Sequence, residues 1–200
     1  MKLFYSATSP YVRKVLACAI TRGLEGRIQL VPADPHSSPP ELLAHNPLSK
    51  VPCLVTDDGM ALFDSPVICE YLDTRGEALP LFPEHMTVRW RALKQQAMGD
   101  GILDAAVLRR MERARPRDSE RDAVIAREKA AIDRTLDALE ADPPHRIPDI
   151  GSITIACALG YLDFRFAAEP WRGKRSRLAS WFEAFSEEPG IARTVPRDPG

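Results

Sequence analysis

The stretch YSATSPYVRKVLACAI, residues 5–20, gathers five hydroxyls, Tyr5, Ser6, Thr8, Ser9 and Tyr11, around what reads as a strand end and the first turns of a helix. Ser9 followed by Pro10 has the form of a helix N-cap and its first helical residue. A serine in that place has two chemistries open to it. Its oxygen can accept a first-turn amide, and its proton can be donated to an anion held where the helix dipole is positive. A second helix start is marked by Asp64 and Ser65 in FDSPVICEYL, and Lys50-Val51-Pro52 leads into a strand. The four cysteines, Cys18, Cys53, Cys69 and Cys157, fall inside apolar runs with no CxxC pair and no histidine at a metal spacing. They read as small buried hydrophobes in a reducing compartment, and no metal site is expected.

The elements that must position these residues are short and mixed up to about residue 80. KLFY (2–5) reads as a strand, PYVRKVLACAITRG (10–23) as a helix with Gly23 as its C-cap, and RIQLV (27–31) as a second strand. After a loop at 32–40 come a helical turn at 41–46, a strand at 52–56, a hairpin turn at Asp57-Asp58-Gly59, a returning strand at 60–63 and a helix at 64–76. Beyond a proline-bearing linker at 77–85 the pattern is helical. Helices are expected over 86–113, over 119–141 with Ile125, Ile132, Leu136 and Leu139 on one face, and over 176–187 with Leu178, Trp181, Phe182 and Phe185. The segment 149–166 is apolar all round, so it should form the core of a second domain, capped by Asp149 with Ser152 at the third helical position.

The balance of the chain sets limits on partners. Net charge is −1, with 44% hydrophobic and 28% charged residues, which marks neither a nucleic-acid binder nor a ligand of anionic membranes. VLACAI is short and follows Arg13 and Lys14, so no signal peptide is read, and no run approaches a membrane span. A cytoplasmic protein is expected.

A βαβ unit followed by helix, hairpin and helix, then an all-helical domain, is the order of a thioredoxin-like domain with an all-α domain after it. With TSPYVRKV at the first turn, NPLSKVPCL before the third strand and FDSPVICEYL after the fourth, the whole chain resembles the bacterial soluble glutathione S-transferases. The resemblance implies a glutathione-binding domain at 1–80, a helical domain at 86–200 contributing an electrophile pocket, and a homodimer. It places the chain in detoxification, with glutathione as co-substrate.

The same resemblance assigns roles. Asp64 would accept from the ammonium of glutathione, and Ser65 with the amides of its helix would hold the neighbouring carboxylate. The peptide before Pro52 would be cis, so that the backbone of Val51 pairs with the cysteinyl part like an added strand. Lys50 would meet the glycyl carboxylate. Relatives often have glycine where Ser49 stands. Ser9 would donate to the thiol, with Tyr5 as its rival, because other branches use a tyrosine at the end of the first strand; Ser6 and Thr8 are weaker candidates. Ser9 also stands where thioredoxin-fold oxidoreductases carry their first redox cysteine, so disulfide exchange through a CxxC is not expected. Arg13, Asp100 and Tyr11 are further candidates near the ligand, with Tyr11, Val12, Leu103 and Val107 walling the electrophile's side. Gly99 and Gly101 would let the long helix pack closely against the first domain or a second subunit, or would simply mark a tight helix crossing. Conjugation is the leading activity. Reductive dehalogenation, isomerisation and peroxide reduction use the same thiol, and a non-catalytic binding module uses the same fold.

Overall fold

A computed structural model of the chain describes residues 1–198. The chain forms two units, one made of residues 1–85 with the segment from Pro189 onward, the other of residues 86–188.

The first unit is built on a four-stranded sheet of β1 (Lys2–Tyr5), β2 (Gln29–Pro32), β3 (Cys53–Val55) and β4 (Ala61–Leu62), in the order β2-β1-β3-β4. β2 runs parallel to β1, as a βαβ crossover requires, while β3 is antiparallel to β1 and β4 antiparallel to β3. β2 begins at Gln29 rather than residue 27 because Glu25–Arg27 close a short 3-10 turn. Pro32 is tolerated in β2 because that strand is an edge. α1 (Pro10–Thr21) ends in a Schellman motif: Gly23, at φ +72°, donates to Ile20 O, and Leu24 donates to Ala19 O. A short α2 (Pro40–Leu43) precedes β3.

α3 (Ser65–Asp73) stops short of the sequence expectation of residue 76. The Asp73 carboxylate accepts from Leu81 N at 2.8 Å and Phe82 N at 3.1 Å and lies 3.0 Å from Arg22 Nε, which turns the chain across Arg22. Phe4, Val12, Leu42, Val51 and Cys53 form the core beneath α1, with Tyr5, Leu16 and Phe63 packed against it.

The second unit has α4 (Met86–Arg113), α5 (Ser119–Ala141), α6 (Ile150–Arg165) and α7 (Ser176–Phe185). Every residue of α6 from Ile150 to Leu162 is buried, as its all-round apolar pattern requires. Asp149 and Ser152 close a reciprocal capping box, Asp149 Oδ1 accepting from Ser152 N at 2.7 Å and Ser152 Oγ from Asp149 N at 2.8 Å. α7 buries Leu178, Trp181, Phe182 and Phe185. No helix among the described residues is long and apolar enough to cross a membrane.

α8 (Pro189–Ala192) and the described residues after it, to 198, group with the first unit rather than with the helices of the second. Gly190 lies so close to α1 that a Cβ there would stand 2.6 Å from Ala17 O, and Ile191 is 1% exposed. Gly99 packs on Thr154 and Ile155 of α6 within its own unit, while a Cβ at exposed Gly101 would meet nothing.

Candidate functional site

Strand directions decide which residues meet. β1 ends at Tyr5, its antiparallel neighbour β3 begins at Cys53, and β4 ends at Leu62 beside Leu54. Three junctions therefore emerge at one end of the sheet: Ser6–Ser9 into α1, Lys50–Pro52 into β3, and Phe63–Ser65 into α3. These junctions carry Ser9, Val51, Asp64 and Ser65.

Ser9 is the N-cap of α1, with Pro10 following, and its Oγ accepts from Val12 N at 3.3 Å. That bond uses a lone pair, and among the described residues the hydroxyl proton has no acceptor. Tyr5, half-buried at the end of β1, packs on the core beside Val12 and Val51. Tyr11 is half-buried on the first turn of α1.

The Val51–Pro52 peptide is cis. Val51 is 9% exposed, and neither its N–H nor its C=O is hydrogen-bonded among the described residues. The loop delivering it is held by Asn46, which the sequence reading passed over as the end of a helical turn. Asn46 is 1% exposed; its Oδ1 accepts from Leu48 N at 3.0 Å and its Nδ2 donates to Lys50 O at 2.9 Å. Asn-Pro at 46–47 is the local signal for such an Asx turn. Ser49 adopts φ +50°, a conformation that favours glycine. Its hydroxyl donates to Pro35 O at 3.1 Å and lies 3.0 Å from Ser38 Oγ, which offsets the strain. Asn46→Ala strips partners from Leu48 N and Lys50 O and is expected to cost about 2–3 kcal/mol in denaturant unfolding. Asn46→Asp keeps the Leu48 bond and should cost less.

Asp64 holds the N-cap position of α3, but its exposed carboxylate makes no capping bond. Ser65 is 2% exposed, and its hydroxyl has no partner among the described residues. The start of α3 is thus a helix N-terminus with its first-turn amides unfilled by any side chain, which suits a carboxylate. Lys50 is exposed beside Val51.

Two further candidates lie on α1 and α4. Arg13 is 7% exposed and turned towards the 189–198 segment, with Nε 3.4 Å from Thr194 Oγ1 and Nη2 3.4 Å from Ile191 O. Asp100 is half-buried on α4 in the second unit, where Leu103 is fully buried and Val107 half-buried. All four cysteines are buried and none is in a disulfide, and burial pushes the Cys53 thiol up to about 11, so that it stays protonated and inert. No group of metal-ligating side chains assembles among the described residues.

Residues 8–75 match the family description Glutathione S-transferase, N-terminal domain, and residues 122–184 match Glutathione S-transferase, C-terminal domain. The chain is 35% identical over 201 residues to the uncharacterized GST-like protein YibF of Escherichia coli K12, covering 98% of each. A glutathione transferase family member from Pseudomonas fluorescens Pf-5, solved with bound glutathione, is 38% identical with a TM-score of 0.90, covering 98% of each chain. A structure from the same organism with bound S-(propanoic acid)-glutathione superposes at a TM-score of 0.86 and 38% identity, covering 98% of this chain and 100% of that one. Two family matches, one on each side of the linker, and full-length relatives at this identity place the chain in the glutathione S-transferase family.

Proposed function

We propose that this chain binds glutathione and activates its thiol for attack on electrophilic small molecules. The observation that carries this reading is that the groups left without partners at one end of the sheet match the parts of glutathione in kind. The α3 N-terminus with Ser65 suits the γ-glutamyl carboxylate and Asp64 its ammonium. The vacant N–H and C=O of Val51 suit the cysteinyl backbone as an added strand. The spare proton of Ser9 suits the sulfur, and Lys50 the glycyl carboxylate. The relatives solved with glutathione, one of them with an S-substituted derivative, support the same ligand.

A free thiol has a pKa near 8.5, so only a few per cent is ionised at neutral pH. Donation from Ser9 at the positive end of α1 favours the thiolate. The thiolate attacks the electrophilic carbon, the C–S bond forms as the leaving group departs with its electron pair, and the thiol proton passes to solvent.

Immobilised glutathione should retain the protein at low salt, and free glutathione should elute it. Flow-through would sink the reading. Retention without turnover of any activated aryl halide or alkene would make the chain a binding module.

A further inference from the structure

Arg13 lies on the first turn of α1, and its backbone N–H closes that turn on Ser9 O at 3.1 Å. Its guanidinium is buried, a costly place for a charge without a counter-ion. Among the described residues no carboxylate forms an ion pair with it. Nε and Nη2 reach only neutral oxygens, Thr194 Oγ1 and Ile191 O, and Nη1 is buried with no partner. The charged groups on the elements packed against α1 are engaged elsewhere or stand apart. Glu25 pairs with Arg193 at 2.8 Å and Asp73 with Arg22, Arg27 lies 4.0 Å from Asp57, and Asp64 makes no ion pair. Lys14 on α1, Glu70 on α3 and Asp198 each have contacts of their own. Among the described residues the guanidinium therefore stands without an ion-pair partner, on a side chain that leaves the first turn of the helix capped by Ser9.

The segment from Pro189 fixes that charge. A Cβ at Gly190 would stand 2.5 Å from Thr21 Oγ1, so the backbone of α8 lies directly on α1. Thr194 Oγ1 donates its proton to Gly190 O at 2.6 Å, which turns its lone pairs towards acceptance from Arg13, and Arg193 pairs with Glu25 beyond the helix end. We propose that residues 189–198 act as a strap that holds Arg13 as a positioning residue, so that its uncompensated charge and the first turn of α1 together favour an anion at Ser9. This rests on the reading that the anion is the thiolate of glutathione.

The test follows the ultraviolet absorbance of the bound thiolate against pH in the full-length protein, alongside glutathione affinity and melting temperature. Arg13→Gln should leave about tenfold less thiolate at pH 7 than the unmodified protein. Thr194→Val, which frees the guanidinium without removing it, should give a smaller loss, and Thr194→Ser should restore the original curve. A lower melting temperature with the bound thiolate curve unmoved in both Arg13→Gln and Thr194→Val would overturn the proposal, because Arg13 would then only brace the fold. If the unmodified protein binds glutathione but leaves its thiol at the free value, thiol activation fails and the strap proposal with it. Activation that survives Arg13→Gln unchanged overturns the strap proposal alone.

Discussion

Replacing Ser9 by alanine is expected to lower turnover of an activated aryl halide by about ten- to a hundredfold, the worth of one hydrogen bond to a charged group. Tyr5→Phe should leave turnover nearly unchanged. Ser9 has a second job that must be separated from the first, since its Oγ caps α1 through Val12 N. Losing that cap costs about 1 kcal/mol of stability with alanine but only a few tenths with glycine. Ser9→Gly should therefore lose as much turnover as Ser9→Ala while melting closer to the unmodified protein. The rising limb of the pH profile should also move to higher pH in both variants, because a thiol without its donor ionises nearer its free value of about 8.5. A Tyr5→Phe enzyme that loses activity while Ser9→Ala keeps it would transfer the role to Tyr5, which stands at the end of β1 beside the same core.

That contest could be framed from the sequence because Ser-Pro, Val-Pro and Asp-Ser each announce a backbone junction, and their order along the chain is informative. The long helices were legible for a related reason. Their apolar spacing is sustained and their starts are chemically marked: Asp118 accepts from Arg121 N at 2.8 Å, and α5 runs over the expected 119–141. Short elements were less legible, because β3 and β4 exist only through pairing with β1 and with each other. α8 is four residues with no period to read, and its place is set by the approach of Gly190 to a helix far earlier in the chain. The direction of Arg13 depends on that same segment. Asp64 could be placed at a helix start from its neighbours, but that its carboxylate leaves the amides uncapped is a conformational fact that no local pattern carries. Asn46 was missed because its bonds to Leu48 and Lys50 depend on a loop path that Ser49 reaches only at positive φ.

The crossing of α4 and α6 gives a stability effect as large as the one expected at Asn46. A Cβ at Gly151 would stand 2.6 Å from Ala92 O and 2.7 Å from Gln95 Cβ, and one at Gly99 would stand 2.9 Å from Thr154 C and 3.0 Å from Ile155 N. Most of these atoms are backbone, so no rotamer change makes room. Thr154 is further pinned by its hydroxyl, which donates to Ile150 O at 2.6 Å. Alanine at either position must push the helices apart, separating α4 from the buried face of α6. Gly151→Ala and Gly99→Ala are each expected to cost about 2–3 kcal/mol, lowering the melting temperature by about 4–12 °C. Because both glycines serve one crossing, the double variant should cost less than the two losses added, the second alanine entering a gap the first has opened. Gly101 supplies the control on the same helix. It is exposed, a Cβ there meets nothing, and Gly101→Ala should raise stability by about 0.5–1 kcal/mol through helix propensity alone. Equal responses at 99 and 101 would mean that close approach to α6 does not determine why glycine stands at position 99.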